Sequence, residues 1–254
     1  MPSIYVADGS PRMFDDPEWQ AQLHTWGQAL PRPKAILIFS AHWAQAPLTL
    51  GPTETVPLTY DYYGFPERYY EVEYPSPGAP HLAQRLVELL DGIGPIYQDP
   101  KRGLDHGAFV PLMFMYPEAD VPVLSVSQPT FDPRSLFELG RRLAPLREEG
   151  VLVTGAGLLT HGHAPGRGMV AGDPTPSFNR EFDAWVAEQL ARRDYDSLFA
   201  YRDKAPGVDM AVPSVEHFTP LFIATGAAAD DMQSLDMPIT GWWFGQSKRS
   251  IQFN

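Results

Sequence analysis

The stretch Ala35-Ile36-Leu37-Ile38-Phe39-Ser40-Ala41-His42-Trp43 constrains this chain more than any other. Its apolar, partly β-branched run is too short to span a membrane and shows no 3.6-residue period. It therefore predicts a strand over 35–40 that is buried on both faces. His42 then sits just past the carboxyl end of that strand, where open α/β sheets gather their ligands.

Upstream, residues 4–7 read as a first strand, closed by the turn signal Asp8-Gly9-Ser10-Pro11. Asp16-Pro17 supplies a cap and first-turn proline, and Trp19, Leu23, Trp26 and Leu30 form one helical stripe. This β-α-β order predicts a right-handed crossover and parallel pairing of strands 4–7 and 35–40. Downstream, a helix over about 78–91 carries Leu82, Leu86 and Leu89 on one face, and 95–97 reads as a short strand. Gly103 to Gly107 reads as a loop, and 121–126 and 151–153 as buried strands. Asp132-Pro133 caps a helix with Leu136, Leu139, Leu143 and Leu146 along one side. Phe178, Phe182 and Trp185 mark another helix face, Pro213 to Phe218 reads as a helix start, and 239–244 and 251–253 as closing strands. No seam divides the 254 residues, so a single domain over 1–254 is expected.

A net charge of −12 without a lysine-arginine run argues against nucleic acid or an anionic membrane as partner. The chain has no cysteine, which excludes disulfides, thiolate metal sites and cysteine nucleophiles. Neither a signal-peptide pattern nor an 18-residue apolar run occurs, so the sequence reads as soluble and cytoplasmic. Homo-oligomerisation stays open.

Asp8, His42, His161 and His163 all follow predicted strands, and parallel strands would bring them to one edge. Two histidines and a carboxylate on one side of a metal form the site of non-haem Fe(II) oxygenases. Residues 52–77 crowd Tyr60, Tyr62, Tyr63, Phe65, Tyr69, Tyr70 and Tyr74 among prolines. They read either as a loop packed over the sheet or as a lid for a flat substrate. Arg68, Arg102 and Arg167 are scattered and read as surface charges rather than as a carboxylate clamp.

An ordered set of motifs covers nearly the whole chain. It includes Gly9-Ser10-Pro11, Ser40-Ala41-His42-Trp43, Gly64-Phe65-Pro66, Tyr74-Pro75-Ser76-Pro77-Gly78, Leu104-Asp105-His106-Gly107 and Glu216-His217-Phe218-Thr219-Pro220. In these the chain resembles the class III extradiol ring-cleavage dioxygenases, in particular their 4,5-DOPA dioxygenase branch. The resemblance implies one α/β domain with a mostly parallel central sheet flanked by helices. It also implies a small aromatic diol and O2 as reactants, with Fe(II) for activity and Zn(II) as an alternative bound metal. It assigns His42 and His217 as metal ligands, His161 as acid/base residue and His106 as a second histidine lining the site. The register between His161 and His163 stays open.

One position departs from the pattern. The branch has His-Gly-Ser-Pro where this chain has Asp8-Gly9-Ser10-Pro11. Either Asp8 ligates and completes a two-histidine, one-carboxylate triad, or it only forms the turn and the site has lost iron or catalysis. A zinc hydrolase or lyase on the same ligands, and a degenerate aromatic-binding protein, are the competing readings.

Overall fold

The computed structural model describes residues 1–8, 10–162 and 175–254. Strand β1 (Ser3–Ala7) is buried along its length and ends at Asp8. A 3-10 turn, Pro11–Asp15, leads into α1 (Pro17–Ala29). Asp16 caps that helix by accepting the Trp19 N–H at 3.0 Å, and Trp19, Leu23 and Trp26 turn inward as their spacing predicts. Strand β2 (Ala35–Ala44) is longer than expected. It runs on through Ser40 and Ala41, so His42 lies within the strand's carboxyl end rather than beyond it.

Next come β3 (Thr49–Leu50), α2 (Pro80–Leu89), β4 (Tyr97–Gln98), α3 (His106–Met115), β5 (Val123–Gln128), α4 (Pro133–Glu148) and β6 (Val151–Gly157). Helix α5 (Ser177–Arg192) is followed by the short α6 (Tyr195–Phe199), α7 (Tyr201–Lys204) and α8 (Val208–Ala211). Helix α9 (Pro220–Ala228), strand β7 (Leu235–Ile239), the hairpin β8 (Trp242–Trp243) and β9 (Gln246–Ser247), and β10 (Ser250–Phe253) complete the chain.

Two expectations are corrected here. Gly103 to Gly107 is not all loop, because Asp105 accepts the Ala108 N–H and starts α3 at His106. Pro213 to Phe218 is not the start of a helix. His217 lies in a turn, and α9 begins only at Pro220, whose ring suits a first helical position.

The eight-stranded sheet has the order β4-β3-β5-β2-β6-β1-β10-β7. Its centre, β5-β2-β6-β1, is parallel, while β10 runs antiparallel to β1 and β7 antiparallel to β10. Strands β1 and β2 are parallel but not paired, which overturns their expected adjacency. Strand β6 lies between them, with Val153 opposite both Ser3 and Leu37. A run buried on both faces declares itself parallel-like; it carries no information about which similar run becomes its neighbour.

Alternation along the strands feeds two apolar layers. Tyr5, Leu37, Phe39, Leu124 and Val153 pack with α2, α4, α5 and α9. Ile4, Val6, Ile36, Ile38 and Leu152 pack on the other face with α1 and α3. The result is helix, sheet, helix. Among the described residues, no helix is long and apolar enough to cross a membrane.

Candidate metal centre

The central strands deliver Asp8 and His42 to one edge of the sheet, the start of α3 adds His106, and the turn before α9 adds His217. Asp8 continues the β1 ladder through its N–H to Gly157 O at 3.0 Å, and its carboxylate is fully buried. His217 is held by backbone ties. Tyr5 Oη donates to His217 O at 2.7 Å, and Gln128 Nε2 donates to Glu216 O at 3.2 Å. A Cβ on Gly157 would stand 2.1 Å from His217 O, so only glycine lets this turn lie against β6.

Asp8 Oδ2 lies 3.5 Å from His42 Nε2 and 3.4 Å from His217 Nδ1. These separations exceed a normal N–H···O hydrogen bond. Both Asp8 oxygens, His42 Nε2 and His217 Nδ1 are buried without a hydrogen-bond partner. A buried carboxylate left in that condition is costly, and buried charges are ordinarily paired or bound to metals. Two ligands each about 2.1 Å from one cation lie about 3.0–3.4 Å apart, close to the spacing observed. The ligand atoms of Asp8, His42 and His217 all fall within 4.8 Å of one another. One carboxylate and two imidazoles therefore form a candidate site for a divalent metal. Asp8 makes no local side-chain hydrogen bond of the kind a pure turn former would use.

The electrostatics agree with that geometry. Burial pushes the Asp8 carboxyl up, but the adjoining His217 and His42 rings outweigh it and hold the group well below the usual carboxylate range. Burial opposes charge on His42 too, yet Asp8, with Asp105 and Asp61, lifts it to about 9. Without metal, the aspartate is ionised and a protonated His42 compensates it.

His161 stacks on His217, with ring centroids 4.2 Å apart and planes at 15°. His106 lies against His42 at 3.9 Å between centroids. The structure thus brings together Asp8, His42, His106, His161 and His217, whereas His163 lies outside the described residues. Most of the tyrosine-rich segment packs as core: Tyr69 and Tyr74 are buried, and Tyr74 Oη donates to Tyr116 O at 3.1 Å. Of these tyrosines, Tyr62 packs perpendicular to His106, with ring centroids 5.6 Å apart, while Tyr63 is exposed.

Three neighbours of the site carried no decisive sequence signal. Asp61, between two tyrosines, bonds His106 Nδ1 at 2.7 Å and approaches His42 Nδ1 at 3.3 Å. Asp105 accepts the Ser40 hydroxyl at 2.6 Å. Arg102 corrects its reading as a surface charge. It is largely covered, donates to His42 O at 3.0 Å and to Asp105 at 3.2 Å, and stacks over Trp43 at 4.9 Å. Arg68 is exposed and paired with Asp15, as a surface charge should be, and Arg167 lies outside the described residues.

A profile described as the catalytic LigB subunit of aromatic ring-opening dioxygenase matches residues 1–241. The chain belongs to this family. A relative, the 4,5-DOPA dioxygenase extradiol of Beta vulgaris, is 39% identical over 240 residues, covering 91% of this chain and 88% of that one. The Escherichia coli K12 protein of the same name is 34% identical over 258 residues, covering 99% and 94%. In three dimensions the chain is similar to the crystal structure of an uncharacterized Escherichia coli K12 protein. That likeness has a TM-score of 0.82 at 30% identity and covers all of both chains. The LigB assignment accords with the mostly parallel sheet and with a candidate metal site at its edge.

Proposed function

We propose that this LigB-family chain is an extradiol dioxygenase that opens a catechol-type ring with O2, using Fe(II) held by Asp8, His42 and His217. The observation that carries the reading is the convergence of four buried, unpartnered ligand atoms from three residues. A metal held there would supply Lewis acidity toward the diol and an electron path between the ring and O2.

The chain's own residues do the rest. His161, stacked beside His217, takes a hydroxyl proton from the diol and returns one to the opening ring. His106, backed by Asp61, holds a diol hydroxyl by hydrogen bond. Tyr62 covers the ring's edge and keeps water out. Atoms balance in the overall reaction. The ring bond beside the diol breaks, and both oxygens of O2 remain in a product bearing an aldehyde and a carboxylate. The names of the relatives make DOPA the first catechol to offer.

The test is anaerobic Fe(II) loading of wild type, Asp8→Ala and Asp8→His, followed by a catechol panel with O2 uptake and product absorbance. Wild-type turnover that falls about 100-fold or more in Asp8→Ala is expected. Turnover confined to Asp8→His would overturn the ligand role of Asp8. Metal binding with no O2 uptake in any variant would replace the dioxygenase reading with a hydrolytic zinc centre.

A further inference from the structure

His42 faces a carboxylate on both edges of its ring. Nε2 faces Asp8 Oδ2 at 3.5 Å, and Nδ1 faces Asp61 Oδ2 at 3.3 Å. The other oxygen of Asp61, Oδ1, lies 2.7 Å from His106 Nδ1 and accepts the His106 backbone N–H at 3.1 Å. One carboxylate therefore spans two imidazoles, an oxygen to each, and the backbone bond fixes its place at the first residue of α3.

An ionised carboxylate can only accept hydrogen bonds. A ring nitrogen that faces it with no cation between them must carry the proton, which leaves the opposite nitrogen of a neutral imidazole as the lone pair. We propose that Asp61 is a positioning residue that keeps the proton of both His42 and His106 on Nδ1. His42 Nε2 is thereby kept free to ligate metal, and His106 Nε2 to accept a proton or hydrogen bond from the diol. The inference rests on the metal-centre reading above and extends it to the residue that orients the site.

His42, Asp61 and His106 also lie close enough to hold a second cation. Their condition differs from that of the first cluster. Asp61 Oδ1 already accepts the His106 backbone N–H and lies at hydrogen-bond distance from His106 Nδ1, whereas the atoms around Asp8 have no partners. Hydrogen bonding accounts for Asp61 without an ion.

Asp61→Asn is the informative change because it keeps shape and alters one group. Its amide can accept from one imidazole but must donate to the other, which imposes the opposite tautomer on that ring. Asp61→Ala, which removes both acceptors, provides a second arm should the asparagine variant not fold. Metal-free proteins are titrated with Co(II) against a competing chelator, following stoichiometry and the d–d bands. The Zn(II)-loaded proteins are then compared by imidazole ¹⁵N shifts, which distinguish Nδ1–H from Nε2–H.

Wild type is expected to bind one Co(II) and show His106 protonated at Nδ1. Both variants are expected to bind about 10–100-fold more weakly, with altered d–d bands and a shifted His106 tautomer. Variants that match wild type in affinity, bands and tautomer overturn the proposal. Two Co(II) in wild type with one lost on substitution would overturn it in favour of a second metal site. Wild type that takes up no divalent metal would refute the metal-centre reading and this inference together.

Discussion

A buried aspartate between two imidazoles gives the metal-free protein a definite pH signature. His42 is lifted to about 9, against about 6.5 for a free imidazole, so folding favours its protonated form. That contribution is fully present below about pH 6.5 and is lost as pH rises through about 9. Asp8 is held below its ordinary range, so its contribution is present above about pH 4 and is lost as pH falls toward the depressed value. The metal-free protein should therefore lose melting temperature between pH 6.5 and 9.5, and saturating Zn(II), which replaces the His42 proton, should flatten that loss. Thermal melts across the interval, with and without metal, check this; an equally flat metal-free profile would refute it. The residues involved were unequally legible. His42 stood out because a histidine interrupts a strongly apolar strand. The ordered motifs brought forward His217 and His106, and the departure from them brought forward Asp8. Asp61 had no such signal, since its two imidazole partners lie 19 and 45 residues away in sequence and meet it only through folding.

Between elements, the fold places His217 by tying the turn before α9 to the strands beneath it. The Tyr5 hydroxyl reaches across from β1 to His217 O at 2.7 Å, and both groups are buried. Tyr5→Phe removes the donor and leaves that carbonyl unsatisfied, a cost of about 1–3 kcal/mol. The same change frees the turn that carries a proposed ligand, so metal affinity should weaken along with stability. Urea denaturation paired with a metal titration on Tyr5→Phe measures both; a loss of stability with unchanged affinity would show that the tie does not position His217. Strand and helix types were readable because burial imposes periods of two and 3.6 on the residues. Helix boundaries at the site were less so. The start of α3 at His106 depends on the Asp105 cap, and that of α9 on a turn held by Tyr5 and Gln128 from distant strands. The insertion of β6 between β1 and β2 was likewise a choice among similar apolar runs, made by packing.

At the scale of the whole molecule, the proposed ligands at positions 8, 42 and 217 come from nearly opposite ends of the chain and meet only when the central sheet is complete. No local segment can assemble this site, so metal affinity should belong to the native fold and be linked to its global stability. A metal that binds only the folded chain stabilises it by about 2.7 kcal/mol at 100 times its dissociation constant. For a chain of about this length, that corresponds to a rise of about 5–11 °C in melting temperature. Because the two apolar layers share one sheet, the rise should move a single transition rather than one of two. Calorimetry of wild type and Asp8→Ala, with and without Zn(II), separates the possibilities. A single shifted peak in wild type and a much smaller shift in Asp8→Ala are expected. Two peaks of which only one responds would divide the chain into independent units and would contradict a site built from both ends of it.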